Sequence, residues 1–174
     1  GLIAEVGAGE SRGGRRPIVL EFQDDAFGLL GVDLGAAHVS VALTNLRGQV
    51  LAWEDTRFPV REDARGARQA IGRLVDACLA RWEGSADRLA GVGVAVPSPI
   101  DPRHPDVLSE VVMPAWGGRL GLEPLAKRLG VPLLVDNDAN LGALAERWWG
   151  AGRDVDDFAF IKVATGVGSG HIID

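Results

Sequence analysis

The feature that most constrains this chain is the run from Gly31 to Asn45: an apolar strand, a tight turn and a second, alternating strand. Leu29, Leu30 and Val32 lead into Asp33, and Gly35 lies where the backbone must reverse without a Cβ clash. Val39, Val41 and Leu43 then share one face, with Ser40, Ala42 and Thr44 on the other. An acid at a strand end beside a glycine turn can hold Mg²⁺ and bring backbone N–H groups toward a phosphate. More often such a pattern is an ordinary hairpin whose Asp caps the turn. Arg47-Gly48 makes the next turn and Val50 to Phe58 the next strand, so an antiparallel meander is expected between Gly28 and Phe58.

Alternation of helices and strands follows. Ala67, Ile71, Leu74, Cys78 and Trp82 recur at helical spacing and predict a helix over Glu62 to Trp82. Cys78 falls on that apolar stripe and reads as core. Leu89 to Val96 is a strand ended by Pro97-Ser98-Pro99, and a proline-rich excursion runs to Pro114. A short helix over Leu120 to Leu129 stops at Gly130, and Val131 to Val135 is a buried strand closed by Asp136-Asn137-Asp138. A helix is expected from Ala139 to Trp149, with Leu141, Leu144, Ala145 and Trp148 inward. Phe158 to Val163 forms another strand, and Thr165-Gly166-Val167-Gly168-Ser169-Gly170 a glycine-rich turn before His171-Ile172-Ile173. A meander followed by alternating strands and helices is an α/β layer arrangement.

Composition narrows the function classes. A net charge of −6 argues against a chain that is mainly a nucleic-acid binder. No apolar run is long enough to span a bilayer, and one cysteine excludes an internal disulfide. These features fit a reducing cytoplasm. The Gly- and Arg-rich passage from Gly7 to Pro17 reads as a linker. It also reads as the tip of a DNA-contacting hairpin, with Arg12, Arg15 and Arg16 near phosphates.

Two further places could carry chemistry. Asp136-Asn137-Asp138 closes a strand, where α/β sheets place their ligands. A carboxylate there can take a proton from a sugar hydroxyl during phosphoryl transfer, and Asn137 can bond a neighbouring hydroxyl. In structural terms, Asp138 is equally placed to cap the following helix. The loop from Thr165 to Gly170 offers glycine N–H groups as an anion nest, or simply a hairpin turn. Trp116 is either a packed aromatic or a lid over a sugar face.

Taken in order, these signals resemble the ROK family of bacterial sugar kinases and sugar-responsive repressors. The resemblance runs from about Gly28 to Asp174. It is carried by the Asp33-Leu34-Gly35 hairpin, Gly91 to Asp101, Met113-Pro114-Ala115-Trp116, the Val135 to Asn140 strand end, Asn140 to Glu146 and the Thr165 to Gly170 turn. It implies an actin-like ATPase (ribonuclease H-like) α/β lobe with a mixed sheet over residues 28–152, and the start of a second, similar lobe over 153–174. It also implies Asp138 at the kinase base position and Asn137 and Asp138 against sugar. Asp33 and Gly35 fall in the first phosphate motif, and Thr165, Gly166 and Gly168 in the second.

Departures separate the family's two branches. Its kinases usually show Asp-x-Gly-Gly-Thr-Lys, whereas Ala36, Ala37 and His38 stand here in place of the second Gly, the Thr and the Lys. Loss of a well-aligned donor at a phosphoryl-transfer site costs on the order of 2–4 kcal/mol in the barrier. Residues 1–27 are similar to the end of a wing and the linker of the family's winged helix-turn-helix repressors. The expectation is therefore part of a sugar-responsive regulator, with a sugar or sugar-phosphate effector and DNA held by an upstream domain. It is expected to form a homo-oligomer when intact, to need no cofactor, and to lie away from membranes in the cytoplasm. The family's zinc motif would lie beyond Asp174. The alternative is a hexose or N-acetyl amino sugar kinase using Mg-ATP.

Overall fold

The computed structural model describes residues 1–9, 13 and 16–174. In chain order, β1 (Ile3–Ala8) and β2 (Ile18–Phe22) form a two-stranded antiparallel ribbon. There follow β3 (Gly28–Leu34), β4 (His38–Asn45), β5 (Val50–Arg57), α1 (Ala64–Ala80) and β6 (Leu89–Val96). The remainder is α2 (Glu123–Leu129), β7 (Leu133–Asn137), α3 (Asp138–Trp149), β8 (Phe158–Val163) and β9 (Val167–Ile172).

The central sheet has the order β5-β4-β3-β6-β7. Its β3–β4 and β4–β5 pairs are antiparallel, while β3–β6 and β6–β7 are parallel, so the sheet is mixed. A tight hairpin permits the first kind of pair; a crossover is required for the second. The alternation read in β4 is observed: Val39, Val41, Leu43 and Asn45 are buried and the residues between them are half-exposed. Val39, Val41 and Leu43, with Leu30, Val32, Leu34, Val92, Val94 and Val96, meet Ala67, Ile71, Val75 and Cys78 of α1. Helix α1 starts two residues later than the apolar spacing predicts, because the Asp63 carboxylate caps it by accepting from the Gly66 N–H at 2.8 Å.

Cys78 is fully buried in this layer. Burial pushes its thiol above the ordinary range, the Glu54 carboxylate adds to the effect, and Arg81 opposes it. The thiol is therefore expected to resist an aromatic disulfide reagent in the native protein and to react at once in denaturant. Immediate native labelling would contradict that placement. Trp116 is likewise a packed aromatic and not a lid. It is 3% exposed, and its Nε1 donates to the Val60 carbonyl at 2.7 Å. The Arg68 guanidinium lies 4.7 Å from its ring centre.

Helix α3 faces a different partner from the one its leucines suggest. Ala139 and Ala143 are buried, whereas Leu144 and Trp148 are exposed. The small side chains win because they admit the β8–β9 hairpin. A Cβ on Gly142 would stand 2.5 Å from the Phe160 ring, and one on Gly170 would overlap the Ala139 carbonyl. At the far end of α3, Trp149 Nε1 donates to the Arg47 carbonyl at 3.0 Å. The β4–β5 turn to which Arg47 belongs also holds the connection from the ribbon. Leu46 N–H donates to the Asp24 carbonyl at 3.0 Å, and Asn45 Nδ2 to Asp25 Oδ1 at 2.9 Å.

Candidate functional site

A cleft of about 600 Å³ opens where four segments converge. They are the β3–β4 turn, the chain after β6, the start of α3, and the end of β8 with the turn into β9.

The β3–β4 turn brings Asp33 and Gly35 together with His38, but for a different physical reason than its composition suggests. Gly35 does not adopt a left-handed backbone; only seven other glycines have positive φ among the described residues. Its missing Cβ instead makes room for the His38 imidazole, which lies directly over it. His38 Nε2 is 3.1 Å from Asp33 Oδ2, and both side chains are roughly two-fifths exposed, at 43% and 41%. The Gly35 N–H is already donated to the His38 carbonyl at 3.0 Å.

The strand β7 runs two residues further than expected and passes into α3 with no loop, so Asp136 and Asn137 end the strand and Asp138 opens the helix. The cap is therefore Asn137, not Asp138. Asn137 Oδ1 accepts from the N–H groups of Ala139 at 2.9 Å and Asn140 at 3.3 Å. Its Nδ2 donates to the Ser98 carbonyl at 3.2 Å, tying α3 to the chain after β6. Ser98 is itself fully buried, and its Oγ accepts from the Ser109 N–H at 2.9 Å. Asn137→Ala is expected to cost about 1–2 kcal/mol of stability in urea denaturation, the usual value of a lost helix cap. An unchanged midpoint would contradict this reading of the amide.

Freed from capping, the Asp138 carboxylate faces Lys162. Lys162 Nζ donates to Asp138 Oδ2 at 2.6 Å, with the two side chains 30% and 11% exposed. Period-two alternation along β8 places Phe158, Phe160 and Lys162 on the side toward α3. Phe160 seats on Gly142 and Phe158 on Gly152, which delivers Lys162 to the cleft. Sequence reasoning did not single out Lys162. The available signals were that alternation and the presence of only two lysines, Lys127 and Lys162, in the chain.

Thr165, Gly166 and Gly168 all line the cleft. The turn is shorter than expected, closed by an Ala164 N–H bond to the Gly166 carbonyl at 2.9 Å, and β9 already begins at Val167. Gly168 is therefore a strand residue, and a Cβ there would touch Ala139 at 3.4 Å. Gly166 faces open space. Arg12 and Arg15 lie outside the described residues; Arg16 is exposed just before β2. Among the described residues no group of three or more His, Cys, Asp or Glu is arranged to hold a metal ion. No helix among them is long and apolar enough to cross a membrane.

A mixed sheet that opens with an antiparallel meander, closes with parallel crossovers and presents an acid at the end of its last strand is an actin-like α/β lobe. The sequence pattern of the ROK family matches residues 29–174, and the chain belongs to that family. It is 30% identical over its whole length to the xylose repressor of Caldicellulosiruptor bescii, covering 43% of that protein. It is 34% identical over 144 residues to the glucokinase of Thermotoga maritima, covering 83% of this chain and 44% of that one. A solved ROK family transcriptional regulator, a homologue of the Escherichia coli MLC protein, superposes with a TM-score of 0.75 at 25% identity. That superposition takes in 99% of this chain and 43% of the regulator. The chain thus spans well under half the length of these relatives.

Kinases of this fold imply Mg-ATP. The first motif here does not fit its phosphates: the imidazole stands over Gly35, and alanine at 37 offers no hydroxyl.

Proposed function

We propose that this chain is the effector-binding portion of a sugar-responsive transcriptional regulator. In this reading residues 1–27 are the end of a DNA-binding wing and its linker. Residues 28–152 are the first ligand lobe, and 153–174 begin the second. The observation that carries the reading is the span of the likeness. The family pattern starts at residue 29, yet similarity to the xylose repressor continues upstream through the whole β1–β2 ribbon. The His38–Asp33 pair over Gly35 supports it, because it occupies the turn that a kinase needs for phosphate. The effector is a sugar held at Asp138 in the cleft that Asn137 shapes. DNA is held by a winged helix-turn-helix whose recognition helix lies upstream and whose wing ends in this chain, with Arg12, Arg15 and Arg16 near phosphates. The intact protein acts in the cytoplasm as a homo-oligomer. Sugar shifts the equilibrium between arrangements of different DNA affinity, which requires different sugar affinities in the two.

A second reading is favoured by Asp138 and by the likeness to a glucokinase: an ATP-dependent sugar kinase in which Asp138 takes the proton of the attacking hydroxyl. A coupled ADP-release assay on the intact protein separates the two. The regulator reading predicts no sugar-dependent turnover. Turnover with glucose or N-acetylglucosamine that is lost in Asp138→Asn would establish the kinase instead.

A further inference from the structure

We infer that Lys162 contacts ligand and determines specificity, forming with Asp138 a charge-balanced clamp for two adjacent hydroxyls of a neutral sugar. The inference rests on the reading of the cleft as a sugar site and adds to it a residue and a charge class.

The geometry supplies the donors and acceptors. A lysine ammonium has three N–H donors, and one is spent on Asp138 Oδ2 at 2.6 Å. Lys162 keeps 30% of its side chain exposed and lines the cleft, so its remaining donors are available there. Asp138 Oδ2 is taken by the ammonium, and among the described residues no protein donor reaches Oδ1. An acceptor and a donor therefore stand side by side at one ion pair's width. A vicinal diol matches that arrangement, one hydroxyl donating to Asp138 and its neighbour accepting from Lys162.

Charge then decides what is refused. Among the described residues that line the cleft, only His38, Asp138 and Lys162 are ionisable. The Asp138–Lys162 pair cancels, so the clamp is neutral overall. A ligand carboxylate at the clamp meets Lys162 with Asp138 beside it, and a ligand ammonium the reverse. Either charge gives up its hydration for attraction and repulsion that largely cancel, and is penalised relative to a neutral hydroxyl. Stability alone does not account for such a pair, since a largely desolvated ion pair contributes little net stability. The clamp is also held before ligand arrives. Phe158 and Phe160 fix β8 against Gly152 and Gly142, so little ordering is left to occur on binding.

Isothermal titration of the intact protein tests this. The neutral probes are xylose, glucose and N-acetylglucosamine; the charged counterparts are glucuronate and glucosamine. The wild type is expected to bind at least one neutral probe, with the charged sugars about tenfold weaker or more. Lys162→Met is expected to weaken the bound neutral sugar by about tenfold, the usual value of a charge-assisted hydrogen bond. Lys162→Arg, which keeps charge and donors, restores most of the affinity. Lys162→Gln, which keeps a neutral donor of similar length beside Asp138, carries the test if Lys162→Met fails to fold. It should bind the neutral sugar more weakly than Lys162→Arg does, and affinity equal to wild type overturns the clamp. The clamp is overturned if Lys162→Met binds the neutral sugar as tightly as wild type while Asp138→Asn loses it. Wild-type affinity for glucuronate or glucosamine equal to that for the neutral sugar that binds overturns it as well. Failure of every neutral probe to bind the wild type counts against the sugar site itself, and the clamp falls with it.

Discussion

Asp138→Asn is expected to lower the affinity of the intact protein for its sugar by about 10- to 100-fold, the range of one hydrogen bond to a charged group. The substitution keeps the size of the side chain and its place at the first position of α3. It removes the negative charge that holds Lys162 at 2.6 Å and converts one acceptor oxygen into a donor. Because Asn137 and not Asp138 caps α3, the helix itself is not expected to fray. Sugar affinity should therefore collapse, while the melting temperature falls only by the cost of leaving the partly exposed Lys162 unpaired and not by loss of the helix cap. Calorimetric titration and a thermal melt on the same preparation check both. Undiminished affinity would remove Asp138 from the site.

Trp116→Ala is expected to be the most damaging single substitution outside the cleft, at about 3–5 kcal/mol, the cost typical of deleting a buried aromatic. Trp116 is 3% exposed and sits in the core with Met113, Leu120 and Leu122. Its loss also strands the Val60 carbonyl and removes the ring beneath Arg68. Arg68 further donates to the carbonyls of Leu120 at 2.8 Å and Arg119 at 2.9 Å, so the effect reaches the chain leading to α2. Urea denaturation followed by fluorescence or circular dichroism measures it. A loss below about 0.5 kcal/mol, the ordinary size of a surface change, would show that the ring is dispensable.

The meander, helix α1 and the alternation of strand and helix were legible because each rests on local periodicity: period two in β4, and helical spacing in Ala67, Ile71 and Cys78. What escaped depended on contacts between distant segments. Leu144 and Trp148 look like an inner face until β8 and β9 claim the small residues of α3 instead. Gly35 and Gly170 read as turn residues, yet each is glycine because another group lies where its Cβ would be. At the site, the acids and the glycine loop were visible as motifs. The change of cap from Asp138 to Asn137 was not, since it follows from β7 running into α3 without a loop. Lys162 was invisible for the same kind of reason: its meaning comes from Asp138, 24 positions earlier in the chain.

The most direct measurement of the central claim is the effect of sugar on DNA binding by the intact protein. Complexes with the DNA upstream of its own coding region would be titrated with xylose, glucose and N-acetylglucosamine and followed by fluorescence anisotropy. At least one sugar is predicted to change the DNA affinity of the wild type, at concentrations that leave Asp138→Asn bound as before. Tight DNA binding that none of these sugars alters at any concentration would contradict the account.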